Sequence, residues 1–131
     1  MREENSKAIF ERGRDAIDAA LVEAYDDLLA REGSNWLVRE IVLYWKRTLK
    51  RLDVSSRSLI ALVEPGSCFA GTLFELVLAA DRSYMLDGTF DGSNLPAATI
   101  SMTAMNFGPY PMGNGLTRLA TRFLAEPTHV D

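Results

Sequence analysis

The sequence predicts an α/β fold of short strands with flanking helices. Two long N-terminal stretches carry apolar residues at spacings of three and four, the period of amphipathic helices. Downstream, Leu59–Val63 and Ser83–Leu86 are apolar runs of strand length on either side of a glycine-initiated helical pattern.

The first stretch, about Glu4 to Arg31, reads as a helix with Ile17, Leu21, Ala24 and Leu28 on one stripe. Gly33-Ser34-Asn35 stops it and supplies an N-cap for a second helix, about Trp36 to Leu52. Leu37, Ile41, Tyr44 and Thr48 share a stripe there, and Trp36 and Trp45 read as packing aromatics. Leu59–Val63 has the continuous apolar character of a strand covered on both faces. Pro65-Gly66-Ser67 ends it, and Gly71–Ala80 comes next as a helix striped by Leu73, Leu76, Val77 and Ala80. After the strand at Ser83–Leu86, the Gly/Asp/Asn-rich stretch Asp87–Ala97 is a loop. Ala98–Phe107 fits neither period, Gly108–Gly115 is a turn-rich loop, and Leu116–Leu124 is a last helix. Two strands do not make a self-sufficient sheet. The chain therefore divides into an N-terminal helix, 1–33, and an incomplete domain, 34–131.

Composition narrows the chemistry. The 131 residues, 47% hydrophobic and 24% charged with a formal net charge of -4, suit one ordinary globular core. The densest basic run, Lys46-Arg47 with Lys50-Arg51, repeats at helical spacing and reads as a solvated helix face; no nucleic-acid partner is expected. A single cysteine, Cys68, excludes an intrachain disulfide and a multi-cysteine metal site. A single histidine, His129, leaves little material for a triad or a zinc site. No apolar run approaches the roughly 18 residues of a membrane span, and the charged N-terminus leads into no signal core. A cytoplasmic chain without metal or membrane contact is the expectation.

The stretch that carries chemistry is Ile60–Asp81: a strand, a turn of small residues, then the bare N-terminus of a helix. Unpaired amides and the positive end of the helix dipole meet there, a setting suited to a developing oxyanion. Glu75, one turn in, is placed to move a proton of a bound substrate. The same residues also fit a capping box, Thr72-Leu73-Phe74-Glu75, in which Glu75 bonds the Thr72 amide and only finishes the helix. Cys68 reads either as a thiol activated by the helix end or as a small packing residue.

The pattern resembles the crotonase (enoyl-CoA hydratase) superfamily. Leu59–Val63 matches its strand, Glu75-Leu76 its Glu-Leu pair, and Gly108-Pro109-Tyr110-Pro111-Met112-Gly113-Asn114-Gly115-Leu116-Thr117-Arg118-Leu119 its later loop and helix. Arg47–Ser58, Glu64–Leu73, Ala79–Leu86 and Asn106–Phe123 are similar to the second crotonase-like half of a ring-opening branch. That branch acts on 2,3-epoxybenzoyl-CoA in aerobic benzoate degradation, and the similarity runs from about Trp36 to the end.

The resemblance implies a partial crotonase spiral, with an acyl-CoA thioester as substrate and no cofactor, CoA being part of the substrate. It implies Glu75 as the carboxylate, the Gly71 and Thr72 amides as oxyanion donors, and Cys68 and Gly113 beside the substrate. The sequence departs from the pattern in three places. No Ala-Gly-x-Asp loop precedes Leu59, Ala104 stands where a hydratase has its second glutamate, and Thr72 replaces the oxyanion glycine. The resemblance also puts the branch's catalytic glutamates in its first half. Both flanks read as cut, and self-association or packing against a missing half is expected. Three functions fit: part of the ring-opening enzyme, a non-catalytic scaffold or assembly module, and a generic enoyl-CoA hydratase or isomerase.

Overall fold

The structure, a computed structural model, describes residues 18–130. Helix α1 is Ala19–Arg31, started by Asp18, whose carboxylate accepts from the Leu21 amide at 2.6 Å. The part of the predicted helix before Asp18 lies outside the described residues. Helix α2 is Trp36–Asp53, and Asn35 caps it as the sequence predicts, accepting from the Leu37 amide at 2.9 Å. Strand β1 (Ile60–Val63) and strand β2 (Phe69–Ala70) lead into helix α3 (Gly71–Ala79), and strand β3 (Arg82–Met85) comes after it. The stretch that fitted neither period contains strand β4 (Ile100–Ser101) and a 3₁₀ turn, Ala104–Phe107. Helix α4 (Arg118–Arg122) and a final 3₁₀ turn, Pro127–His129, complete the order. The fold is mixed α/β, as predicted.

The strands form two parallel pairs. In one, β1 lies beside β3, from Ile60 against Arg82 to Val63 against Met85, with α3 in the crossover between them. In the other, β2 lies beside β4 through Phe69–Ile100 and Ala70–Ser101. The expectation of a strand covered on both faces is corrected. Strand alternation turns Ala61 and Val63 toward Phe74 and Val77 of α3, leaving Ile60 and Leu62 exposed on the other side. All four residues of β3 are exposed. The last helix is shorter than predicted. Residues 112–116 are held in a turn, the Met112 amide bonding the Leu116 carbonyl at 2.8 Å, so the helix starts only after Thr117, its N-cap.

The helix stripes also need correction. Leu21 and Leu28 of α1, and Leu37, Ile41 and Tyr44 of α2, are exposed, and Trp36 is 73% exposed. The inward face of α2 instead carries Val42, Trp45, Leu49 and Leu52, which meet Leu29, Leu76, Met105 and Tyr110 in the second core cluster. On α1 the buried residue is Asp26. Both helices have two faces apolar enough to pack, and the inward one on α1 is selected by a carboxylate. The C-terminal end of α3 is closed from α4, where Arg122 donates to the Leu78 carbonyl at 3.1 Å. Among the described residues no helix is long and apolar enough to cross a membrane.

Candidate functional site

The N-terminus of α3 is the centre of a continuous buried polar network. Ala70 occupies the N-cap position with no side-chain hydrogen bond, so the first amides of α3 need partners from elsewhere. Asp26, 2% exposed, supplies one. Its carboxylate accepts from the Thr72 amide at 2.7 Å, the Thr72 hydroxyl at 2.5 Å and the Thr103 hydroxyl at 2.6 Å. Thr72 Oγ1 also lies 3.1 Å from the Tyr110 hydroxyl. Burial pushes the Tyr110 phenol up to about 12, against the pull of its Thr72 hydrogen bond.

Gly71 is required where it stands. Its φ is +46°, and a Cβ there would lie 2.0 Å from Asp26 Oδ2. Its carbonyl accepts from Asn106 Nδ2 at 2.9 Å, and the same nitrogen lies 2.8 Å from Glu75 Oε1.

Glu75 is 1% exposed and faces Arg118, whose Nη1 donates to Oε2 at 3.0 Å. Arg118, equally buried, holds Asp53 in a two-pronged fork, Nε to Oδ1 at 2.8 Å and Nη2 to Oδ2 at 2.6 Å. It also donates to the Tyr110 carbonyl at 3.1 Å. One guanidinium thus ties the end of α2, the middle of α3, the loop at Tyr110 and the start of α4. Two carboxylates share that single cation. Burial pushes the Glu75 carboxyl up from its ordinary value, while the hydrogen bonds from Asn106 and Arg118 hold it down.

The raised Glu75 carboxyl makes stability depend on pH. It holds its proton more tightly in the folded than in the unfolded chain above its ordinary value of 4.5. Its contribution to stability is most favourable below that value and falls as pH rises through the raised one. Glu75→Gln removes this titration. In thermal melts from pH about 4.5 to about 8, the Tm difference between variant and wild type should move in the variant's favour as pH rises. A difference independent of pH would refute the assignment to Glu75.

The structure brings Gly71, Thr72 and Glu75 together. Thr72 does not act as the cap of a Thr-x-x-Glu box: the N-cap is Ala70, two residues earlier, so Thr72 lies inside the helix, Glu75 is buried and the Thr72 amide bonds Asp26. A capping box does form at Thr103–Asn106, where the Thr103 amide donates to Asn106 Oδ1 at 2.9 Å. Cys68 is half-buried just before β2, and burial pushes its thiol up, away from the reactive thiolate. Gly113 stands in the exposed loop, where an added Cβ would meet open space. Ala104 begins the 3₁₀ turn and lines a cleft of about 400 Å³ with Leu29, Val42, Met105 and Pro109.

Asp26, Asp53, Thr103, Asn106 and Tyr110 do not stand out in the sequence as site residues. Only the Thr103-x-x-Asn106 spacing offers a local signal. Among the described residues every buried side-chain nitrogen and oxygen has a partner, and no group of His, Cys, Asp and Glu is placed to hold a metal.

Fold and site together define an α/β unit in which a helix N-terminus and its glutamate are both taken up by the chain's own side chains. No family model matches the chain. It is similar to the benzoyl-CoA-dihydrodiol lyase of Aromatoleum evansii, 52% identical over 113 residues that make up 86% of this chain. The chain spans 20% of that lyase's length. The resemblance read from the sequence motifs points to the same lyase.

Proposed function

We propose that the chain forms part of the second crotonase-like half of a cytoplasmic ring-opening lyase acting on 2,3-epoxybenzoyl-CoA, and that it serves there as scaffold. The identity of 52% over 113 residues to the benzoyl-CoA-dihydrodiol lyase carries the reading. The scaffold role is supported by the network around α3. The Thr72 amide, an oxyanion donor in the family pattern, is paired with Asp26, and Glu75 is engaged by Arg118 and Asn106. Ala104, in place of a second glutamate, has no proton to transfer. Proton transfer would then fall to the other half, and the generic hydratase reading loses its second carboxylate. The exposed faces of α1 and α2 and the open edges of the β1–β3 pair would pack against the rest of the lyase, completing a crotonase spiral.

The test is complementation. The chain is mixed with the Aromatoleum evansii lyase lacking its matching fifth, and consumption of 2,3-epoxybenzoyl-CoA is monitored. The chain should show no turnover by itself, co-elute with the truncated lyase and restore its activity. Glu75→Gln in the chain should leave the restored rate within about threefold, whereas a fall of about 100-fold or more, the scale of lost general acid–base catalysis, would make Glu75 catalytic. No restoration, or turnover by the chain by itself, would overturn the proposal.

A further inference from the structure

We propose that the basic face of α2 binds a nucleoside diphosphate, its adjacent phosphates held by Lys46, Arg47, Lys50 and Arg51. Three observations converge on it. The first is a cleft. These four side chains, with Glu40, Leu43 and Val54, line a concavity of about 620 Å³, a size suited to a small organic ligand. Leu43, Arg47, Lys50 and Val54 recur at spacings of four, three and four, so an apolar residue stands at each end with cations between. Leu43 and Val54 are both exposed and offer a base an apolar surface. This stripe lies about a third of a turn from that of Leu37, Ile41 and Tyr44, so a partner packed on the latter does not need to cover it.

The second is charge left uncompensated. Among the described residues the ion pairs are those of Arg118 and His129, and none involves the four cations. Lys46 and Lys50, like Arg47 and Arg51, stand at the four-residue spacing that makes like charges repel. Asp53, three residues beyond Lys50, is placed to neutralise it, yet both its oxygens are taken by Arg118. Lys46 and Lys50 are also half-buried. The negative end of the helix accounts for Lys50 and Arg51 in the last turn, but not for Lys46 and Arg47 one turn earlier. An anion in the cleft would offset the repulsion that the chain itself leaves standing.

The third is scale. The four cations occupy about 7.5 Å of helix axis, the reach of two or three neighbouring phosphates. A formal net charge of -4 disfavours the long phosphate row of a nucleic acid, so a compact polyphosphate is the fit.

Calorimetric titration of the chain with ADP and with pyrophosphate tests the face. ADP should bind saturably and about tenfold tighter than pyrophosphate, because only ADP carries a base to lay against Leu43 or Val54. Arg47→Gln combined with Lys50→Gln should weaken ADP by about tenfold or more. With like charges relieved, the same double variant should keep or raise the Tm of the ligand-free chain. ADP binding that is no tighter than that of sulfate at equal ionic strength, equal to that of pyrophosphate, or unchanged in the double variant would overturn the proposal.

CoA, titrated in parallel, distinguishes the source of the diphosphate. Tighter binding than ADP assigns the face to the nucleotide end of a CoA thioester, and weaker binding assigns it to a free nucleotide. The inference does not rest on the lyase reading. No titration depends on turnover, so a failure here is distinct from a failure of complementation.

Discussion

Arg118→Met should cost about 3–5 kcal/mol of folding stability, the range for removing one partner of a buried ion pair. Against a total of about 5–15 kcal/mol for a small domain, such a loss is a large fraction of the stability. The reason is the charge balance. The guanidinium is 1% exposed and is the cation paired with both Asp53 and Glu75. Met fills similar volume, yet it strands two nearly dry carboxylates and frees the Tyr110 carbonyl of one donor. Arg118→Lys should be intermediate, because a point charge cannot reproduce the fork on Asp53. Glu75→Gln should be much milder, about 1–2 kcal/mol, since it removes one of two negative charges around one positive charge and leaves a single misdirected amide. Urea unfolding of the three variants, monitored by near-ultraviolet circular dichroism, orders them. A smaller loss for Arg118→Met than for Glu75→Gln would refute this account of the triad.

The second large effect is at Gly71. Gly71→Ala should be destabilised by several kcal/mol, combining about 1 kcal/mol for a positive φ with the collision against Asp26. The two parts separate in a double-mutant cycle. In an Asp26→Ala background the collision at 2.0 Å is gone while the backbone penalty and the Thr103 contact remain. The cost of Gly71→Ala should therefore shrink there by about 1 kcal/mol or more, the coupling expected of residues in contact. Gly113→Ala serves as the contrast: its Cβ enters open space, and its effect should stay within about 0.5 kcal/mol. Calorimetric melts of the wild type, the two single variants and the double variant supply the cycle. Strict additivity between Gly71 and Asp26 would show that the cradle does not depend on the carboxylate.

A good part of this molecule is legible along the chain. The Asn35 cap, the span of α2, the strand–helix–strand order around α3 and the start of that helix at Gly71 all rest on neighbours within a few residues. So does the resemblance carried by Glu64–Leu73 and Asn106–Phe123, and the similarity to the lyase agrees with it. The placement of a carboxylate at Glu75, inside the first turns of α3, was equally local.

What the tertiary structure alone decided is which face turns inward and which groups meet. In α1 and α2 apolar residues recur on two faces, so periodicity identifies a helix without identifying its buried side. In α1 the choice was made by Asp26, reaching 46 residues to Thr72 and 77 to Thr103. Arg118 likewise reaches 43 residues to Glu75 and 65 to Asp53. A desolvated charge must find its partners wherever the fold brings them, and short-range spacing carries no record of a contact made across such distances.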